Sequence, residues 1–108
     1  MANTFKLKTK ANVGVTTSNV YVVPSATTTV EIGETLANTS GSSINVGVGV
    51  TRASTDDVKL MKNVPIPQGS SFEFMAGNKV VLETTDTLTV KSDVNNSLDV
   101  ALTIMEIT

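Results

Sequence analysis

The 108-residue sequence contains no histidine, no cysteine and no tryptophan. A chain without histidine and cysteine cannot build a Ser-His-Asp or Cys-His catalytic set, and it lacks the usual ligands of zinc and copper. Without cysteine it forms no disulfide, which leaves the redox compartment open. We therefore expect a protein that is not an enzyme and that uses no cofactor and no metal.

Charge and long apolar runs are also scarce. The net charge is −2, whereas nucleic-acid binders normally carry a clear basic excess. No stretch approaches the roughly 18 apolar residues that cross a membrane, and the opening letters MANTFKLKTK lack the apolar run of a secretory signal. We expect no nucleic acid and no membrane as partners, and we expect synthesis in the cytoplasm without a signal peptide.

The residues that are abundant are valine and threonine, whose β-branched side chains suit the pleated surface of a sheet. Apolar and polar residues alternate in short runs between turn-rich segments, which is typical of antiparallel sandwiches. The sequence predicts an all-β fold, a single antiparallel β-sandwich of about eight or nine strands over residues 1–108. Immunoglobulin-like and jelly-roll-like orders both remain open, and residues 1–12 are a possible peripheral strand or arm.

Two strands have a regular alternation, and two places break the pattern. Each regular strand has one apolar face. In the first strand it is formed by Ile44, Val46, Val48 and Val50, and in the second by Leu98, Val100, Leu102 and Ile104. The alternation of apolar residues is interrupted between Ile32 and Leu36, which predicts a bulge near Gly33. Residues 65–69 (PIPQG) are predicted to form a turn, because neither proline can donate to a ladder.

Two polar clusters are candidates for functional sites, one for a catalytic pair of acids and one for a calcium loop. Asp56 and Asp57 are adjacent acids, but a catalytic pair needs a cleft that separates their pKa values, so a solvated loop is favoured. Asp93, Asn95 and Ser97 have the alternate spacing that opens a calcium loop, but the later glycine and the distal glutamate of an EF-hand are missing. A turn held by Asx hydrogen bonds is the favoured interpretation.

Two groups of residues are candidate protein contacts. Lys6, Lys8 and Lys10 share one face of the first predicted strand, where they either grip an acidic partner or protect an exposed edge, and the sequence favours neither. Gly47 and Gly49 leave a flat strip without side chains on the outer face of their strand. Another sheet or another subunit can press closely against such a strip.

Six segments follow one another along most of the chain. They are residues 20–25 (VYVVPS), 29–32 (TVEI), 36–40 (LANTS), 44–48 (INVGV), 64–71 (VPIPQGSS) and 79–83 (KVVLE). In this order and spacing they resemble small virion structural proteins of tailed phages, notably marine and cyanobacterial phages. The resemblance spans residues 20–107, and no functional residue carries over from it, because the family has no catalytic motif.

The resemblance implies a virion structural protein made in the host cytoplasm, in the first place a capsid decoration or cement protein that stabilises the assembled shell. Its partners would be the major capsid protein or other virion proteins, and we expect a homo-oligomer, with a trimer as the guess. A tail-fibre or tail-tip module that binds a host surface is the alternative. A host-encoded carbohydrate or adhesion module would call for exposed aromatic platforms, whereas Tyr21, the one tyrosine, is expected to be half-buried with its hydroxyl reaching water or backbone.

Overall fold

A computed structural model describes residues 2–52, 56–74 and 79–108, with Phe74 described without its side chain. Within this part of the chain there are nine strands. They are β1 (Asn3–Val13), β2 (Ser18–Val22), β3 (Thr28–Asn38), β4 (Ile44–Thr51), β5 (Asp57–Ile66), β6 (Ser71–Phe74), β7 (Val80–Leu82), β8 (Thr87–Ser92) and β9 (Leu98–Ile107). None of the described residues belongs to a helix long and apolar enough to span a membrane.

The strands form two antiparallel sheets that pack face to face. Sheet A has the order β1-β9-β3-β6, with β7 also paired to β3, and sheet B has the order β2-β8-β4-β5. β6 and β7 share one side of β3, because β7 pairs with its first half and β6 with its second half. The predicted antiparallel β-sandwich is confirmed.

The strand order identifies this sandwich as a jelly roll. With β6 and β7 taken as one interrupted strand, the pairs β4–β5, β3–β6/β7, β2–β8 and β1–β9 form one long hairpin. Rolling that hairpin around the core brings β9 beside β3 and β8 beside β4, which are the remaining pairs in the sheets. An immunoglobulin sandwich instead keeps its consecutive early strands as neighbours in one sheet. Of the two orders left open by the sequence, the jelly roll is therefore the observed one.

The core lies between the sheets and is built from aliphatic side chains at alternate positions of the strands. The two regular strands supply the predicted residues, and all of them are buried: Ile44, Val46, Val48, Val50, Leu98, Val100, Leu102 and Ile104. Each such side chain contributes roughly 1.5–3 kcal/mol through its removal from water. Because β4 and β9 are inner strands of opposite sheets, this burial holds the two layers together.

The predicted bulge near Gly33 is confirmed, and it decides which residues of β3 face the core. The pairing of β3 with β9 shifts by one residue between Glu31 and Gly33. Glu31 and Glu34 point inward and are buried, whereas Val30 and Ile32 lie on the outer face with intermediate exposure. The polar residues of this segment are thus inside and the apolar ones outside.

The turn predicted at residues 65–69 begins later than expected. β5 continues through Pro65 to Ile66, so the prediction for these two residues is wrong. A proline is tolerated there because β5 is an edge strand, and a missing N–H costs little on the side that has no ladder. The chain turns after the strand, where the Ser70 N–H donates to the Pro67 carbonyl at 3.1 Å.

Candidate protein-contact surfaces

The three lysines of β1 lie on the face of the strand that is turned toward the sandwich interior. β1 is the edge of sheet A, and Lys6, Lys8 and Lys10 are each paired with a core residue of β9. Lys8 places its ammonium group 5.9 Å from the ring centroid of Tyr21 on the opposite sheet. Inward-pointing charges on an edge strand discourage pairing with another chain. This arrangement favours edge protection over a grip on a partner.

Lys6 belongs to a polar network that links the two sheets. Its ammonium group lies 2.7 Å from the buried carboxylate of Glu106. The Tyr21 hydroxyl donates to the same carboxylate at 2.5 Å, and the Thr29 hydroxyl lies 2.8 Å from the Tyr21 oxygen. The hydrogen bonds from Lys6 and Tyr21 lower the pKa of Glu106, while burial and the bond to Glu106 raise the pKa of Tyr21 to about 12.

This network corrects the expectation for the tyrosine. Tyr21 is 6% exposed rather than half-buried. Its hydroxyl contacts two side chains, where the sequence led us to expect water or backbone. Tyr21 is therefore a structural link between sheets and offers no aromatic platform to a sugar.

The two glycines of β4 differ in why they are glycine. A Cβ atom at Gly49 would lie 2.9 Å from the Val58 carbonyl oxygen and 3.3 Å from the Thr89 hydroxyl. A Cβ atom at Gly47 would meet the Met61 carbonyl oxygen at 3.4 Å, an ordinary contact. The close approach of β5 thus explains Gly49, whereas Gly47 leaves open surface.

A groove of about 200 Å³ runs over the two glycines on the outer face of sheet B. Lys59 of β5 is paired with Gly49, and Lys91 of β8 is paired with Gly47, so ammonium groups border the groove from both sides. Lys62 adds a third at the bulged part of β5. Among the described residues, none of these lysines forms an ion pair. The groove therefore has a backbone floor and a rim with three lysines and one acid, Asp93.

A pair of acids lies deep in the core. Glu31 and Glu34 are 0% and 1% exposed, and no donor among the described residues reaches either carboxyl group. Burial raises the pKa of both, and at Glu34 the nearby Glu31 adds to the effect and raises the pKa to about 9. The two groups can hydrogen-bond to each other when one of them is protonated. The described residues hold no cluster of three or more potential metal ligands. The raised pKa values indicate that the pair retains a proton in the native state.

The two polar clusters of the sequence do not converge on a ligand. Asp56 and Asp57 are exposed where β5 begins. Asp93 accepts a hydrogen bond from β4 at 2.9 Å, Asn95 accepts one from the segment after β1 at 3.4 Å, and Ser97 donates within its own turn at 2.6 Å. Each of these three side chains therefore stabilises a different part of the loops around it.

The lysines of the groove were not apparent from the sequence. Lys59 and Lys62 are three residues apart, which places them on opposite faces of a regular strand. They share a surface because the register of β5 shifts twice in this region. Lys91 reaches the groove only through the pairing of β8 with β4, a long-range contact with no local sequence signal.

Comparison with family models gave no match, and neither did comparison with curated proteins. Among solved structures, the chain is similar to one described as "Bacillus endospore appendages form a novel family of disulfide-linked pili". The TM-score is 0.59 at 12% sequence identity, over 99% of this chain and 87% of that chain. At this identity the likeness concerns the fold. The resemblance to phage virion proteins remains a prediction.

Proposed function

We propose that the chain is a structural component of a phage particle, specifically a capsid decoration protein that cements the assembled shell. The observation that carries a role in an assembly is the open apolar surface on sheet A, where Phe5, Leu7 and Val81 are 69%, 65% and 60% exposed. Soluble monomers rarely expose contiguous apolar patches, and such patches mark interaction sites. Jelly rolls also recur among viral capsid domains. Both facts support a protein whose work is contact with other proteins.

The groove on sheet B is the surface that we assign to the shell. Its lysines border both sides, so carboxylates of an acidic segment would find a cation on either side. Its floor at Gly47 has no side chain, so an extended chain can lie flat against the sheet. The partner in this proposal is the major capsid protein or another virion protein that presents such a segment. A homo-oligomer belongs to the proposal as well, since repeated contacts add avidity. The trimer guessed from the sequence is a separate prediction, which the two-fold contact inferred below would exclude.

A tail-fibre or tail-tip module is the second candidate. The observation in its favour is that the solved structure with the similar fold comes from pili, so this fold occurs in a filament. Those pili are described as disulfide-linked, whereas these 108 residues contain no cysteine. A filament of this chain would therefore depend on non-covalent contacts.

The test is co-sedimentation of the purified protein with expanded, empty phage heads that lack it, with isolated tails as the parallel sample. We expect saturable binding to heads, loss of binding for Gly47→Lys, and normal binding for Gly41→Lys. Gly41 is the matched control because a Cβ atom there meets nothing within 4 Å and because it does not line the groove. Binding to tails alone would replace decoration by the tail module. Normal binding of Gly47→Lys would remove the groove from the contact.

A further inference from the structure

Four apolar side chains form a row across the outer face of sheet A. The strand register places Phe5 opposite Met105, Met105 opposite Val30, and Val30 opposite Val81. Bulky neighbours extend the row to one end of the face, which we call the knob end. It comprises Phe5, Leu7, Val30, Ile32, Val81, Met105 and Ile107.

The opposite end of the same face is built from small side chains. There the sheet has a shallow depression of about 270 Å³. We call this part of the face the hole end, and its small residues are Thr9, Ala11, Thr35, Ala37 and Ala101. β1, β3 and β9 all change from large to small outward residues in the same direction. The gradient is thus a property of the whole face rather than of one strand.

The charges of this face are also confined to one end. Asp99 and Glu73 are on the outer face at the hole end, as their pairing with Ala37 and Thr35 shows. The lysines of β1 point to the other side of the sheet. Of these lysines, Lys10 still borders the depression at the hole end.

We infer that this face pairs with the same face of a second copy of the chain, about a two-fold axis that lies between the faces and runs across the strands. Such an axis puts the knob end of each copy on the hole end of the other. Phe5 then lies over Thr9 of the second copy, and Met105 lies over its Ala101. An isologous contact requires this kind of reciprocal fit.

The separation of like charges favours this orientation over the alternative axis, and the size of the face is sufficient for it. An axis along the strands would set knob end on knob end and bring the carboxylates of Asp99 and Glu73 from both copies together, where like charges repel. The axis across the strands keeps them at opposite ends. The molecule extends 45 × 27 × 21 Å, so one broad face offers the ~800 Å² per partner that a standard interface buries. The pairing leaves both lysine-lined grooves free for a further partner.

The first test is the mass of the purified protein by light scattering across a dilution series. We expect two chains per particle. Ala101→Arg fills the depression and is expected to give a monomer, while in a single copy its side chain extends into solvent and leaves folding intact. Thr51→Arg places the same side chain on the outer face of sheet B and is expected to remain dimeric. A native monomer, a native trimer or a dimeric Ala101→Arg protein would overturn the inference.

The second test locates the axis. Thr103 is in the middle row of the face, opposite Leu7 and Gly33, so Thr103 of each copy lies near the axis. Packed sheets are ~10 Å apart, a span that a short bis-maleimide bridges, and the native chain has no competing cysteine. Thr103→Cys is expected to cross-link into a dimer and Thr51→Cys is not. Equal cross-linking of the two variants would contradict the contact.

This contact deepens the proposed structural role, yet the two can fail separately. A monomer that still co-sediments with phage heads would remove the dimer and leave the decoration function in place. A dimer that binds neither heads nor tails would support the contact and remove the proposed function.

Discussion

Glu31 and Glu34 both point into the core because β3 accommodates one extra residue between them. Three positions apart, they would be on opposite faces of a regular strand. The register shift between Glu31 and Gly33 turns both carboxyls to the same side. The consequence is a core that holds two acids among aliphatic side chains, with no donor for them among the described residues. The native state therefore binds a proton that the unfolded chain releases.

We predict that the free energy of unfolding falls as pH rises from about 5 to about 9. The pKa of Glu34 is raised from 4.5 to about 9 in the native state, chiefly by burial. Its contribution to the free energy of unfolding is therefore complete below the ordinary glutamate pKa and is lost progressively as pH rises toward about 9. The slope approaches about 1.4 kcal/mol per pH unit for one extra bound proton, so the loss accumulates across this pH range. Denaturant unfolding at several pH values measures it.

The double variant Glu31→Gln/Glu34→Gln is expected to flatten this profile, and Glu73→Gln, at an exposed position of the same sheet, is expected to leave it unchanged. The other acid on the inner face, Glu106, has a lowered pKa because of Lys6 and Tyr21. It therefore loses its contribution only at acid pH, below the window of interest. A wild-type stability that stays level up to pH ~9 would show that the pair carries no bound proton.

The single tyrosine offers a direct view of the network between the sheets. We predict that Tyr21 ionises with a pKa of about 12, because burial and the bond to Glu106 disfavour the phenolate. With no other tyrosine and no tryptophan in the chain, near-ultraviolet absorbance follows this one group. Glu106→Gln removes the negative neighbour and is expected to lower the pKa. Titration near 10 in the wild-type protein, with the fold intact, would contradict the network.

Lys6 and Lys10 are a matched pair for testing the network from the other side. Lys6→Met leaves the buried Glu106 carboxylate without its cation, and we expect a loss of about 1–3 kcal/mol at neutral pH. The loss should shrink as pH falls and Glu106 becomes protonated, since its lowered pKa stabilises the native state only above that range. Lys10→Met, which breaks no ion pair among the described residues, is expected to change stability little. Equal effects of the two variants would argue against an internal role for Lys6.

Gly47 and Gly49 should respond differently to the same added methyl group. Gly49→Ala brings a Cβ atom within 2.9 Å of the Val58 carbonyl oxygen, and the forced shift of β5 is expected to cost about 1–3 kcal/mol. Gly47→Ala makes only an ordinary contact at 3.4 Å and is expected to fold as stably as the native chain. Thermal unfolding of both variants decides the matter. A tolerated Gly49→Ala would mean that β5 does not approach as closely as described.

The sequence predicted the layer architecture well because alternation is a local property. β4 and β9 alternate without interruption, and their apolar residues form the core as expected. The bulge at Gly33 was also foreseen, from the interrupted alternation between Ile32 and Leu36. The choice of the jelly-roll order over the immunoglobulin-like order could not be made from the sequence. That choice depends on which strands meet when the long hairpin rolls up, and short turns alone do not specify it.

The surfaces were harder to predict because their residues come together through register. On β1 the apolar Phe5 and Leu7 face outward and the lysines face inward, because Glu106 pairs with Lys6 and the ring of Tyr21 on the opposite sheet lies near Lys8. The groove on sheet B likewise depends on the bulges of β5. Long-range pairing determines both features, and a single sequence contains no local sign of it.

The abundance of the protein in purified phage particles tests the central claim most directly. Quantitative gel staining or mass spectrometry of intact particles would give its copy number relative to the major capsid protein. A decoration protein is predicted to approach the abundance of the capsid protein. A handful of copies per particle, or complete absence from particles, would contradict the account.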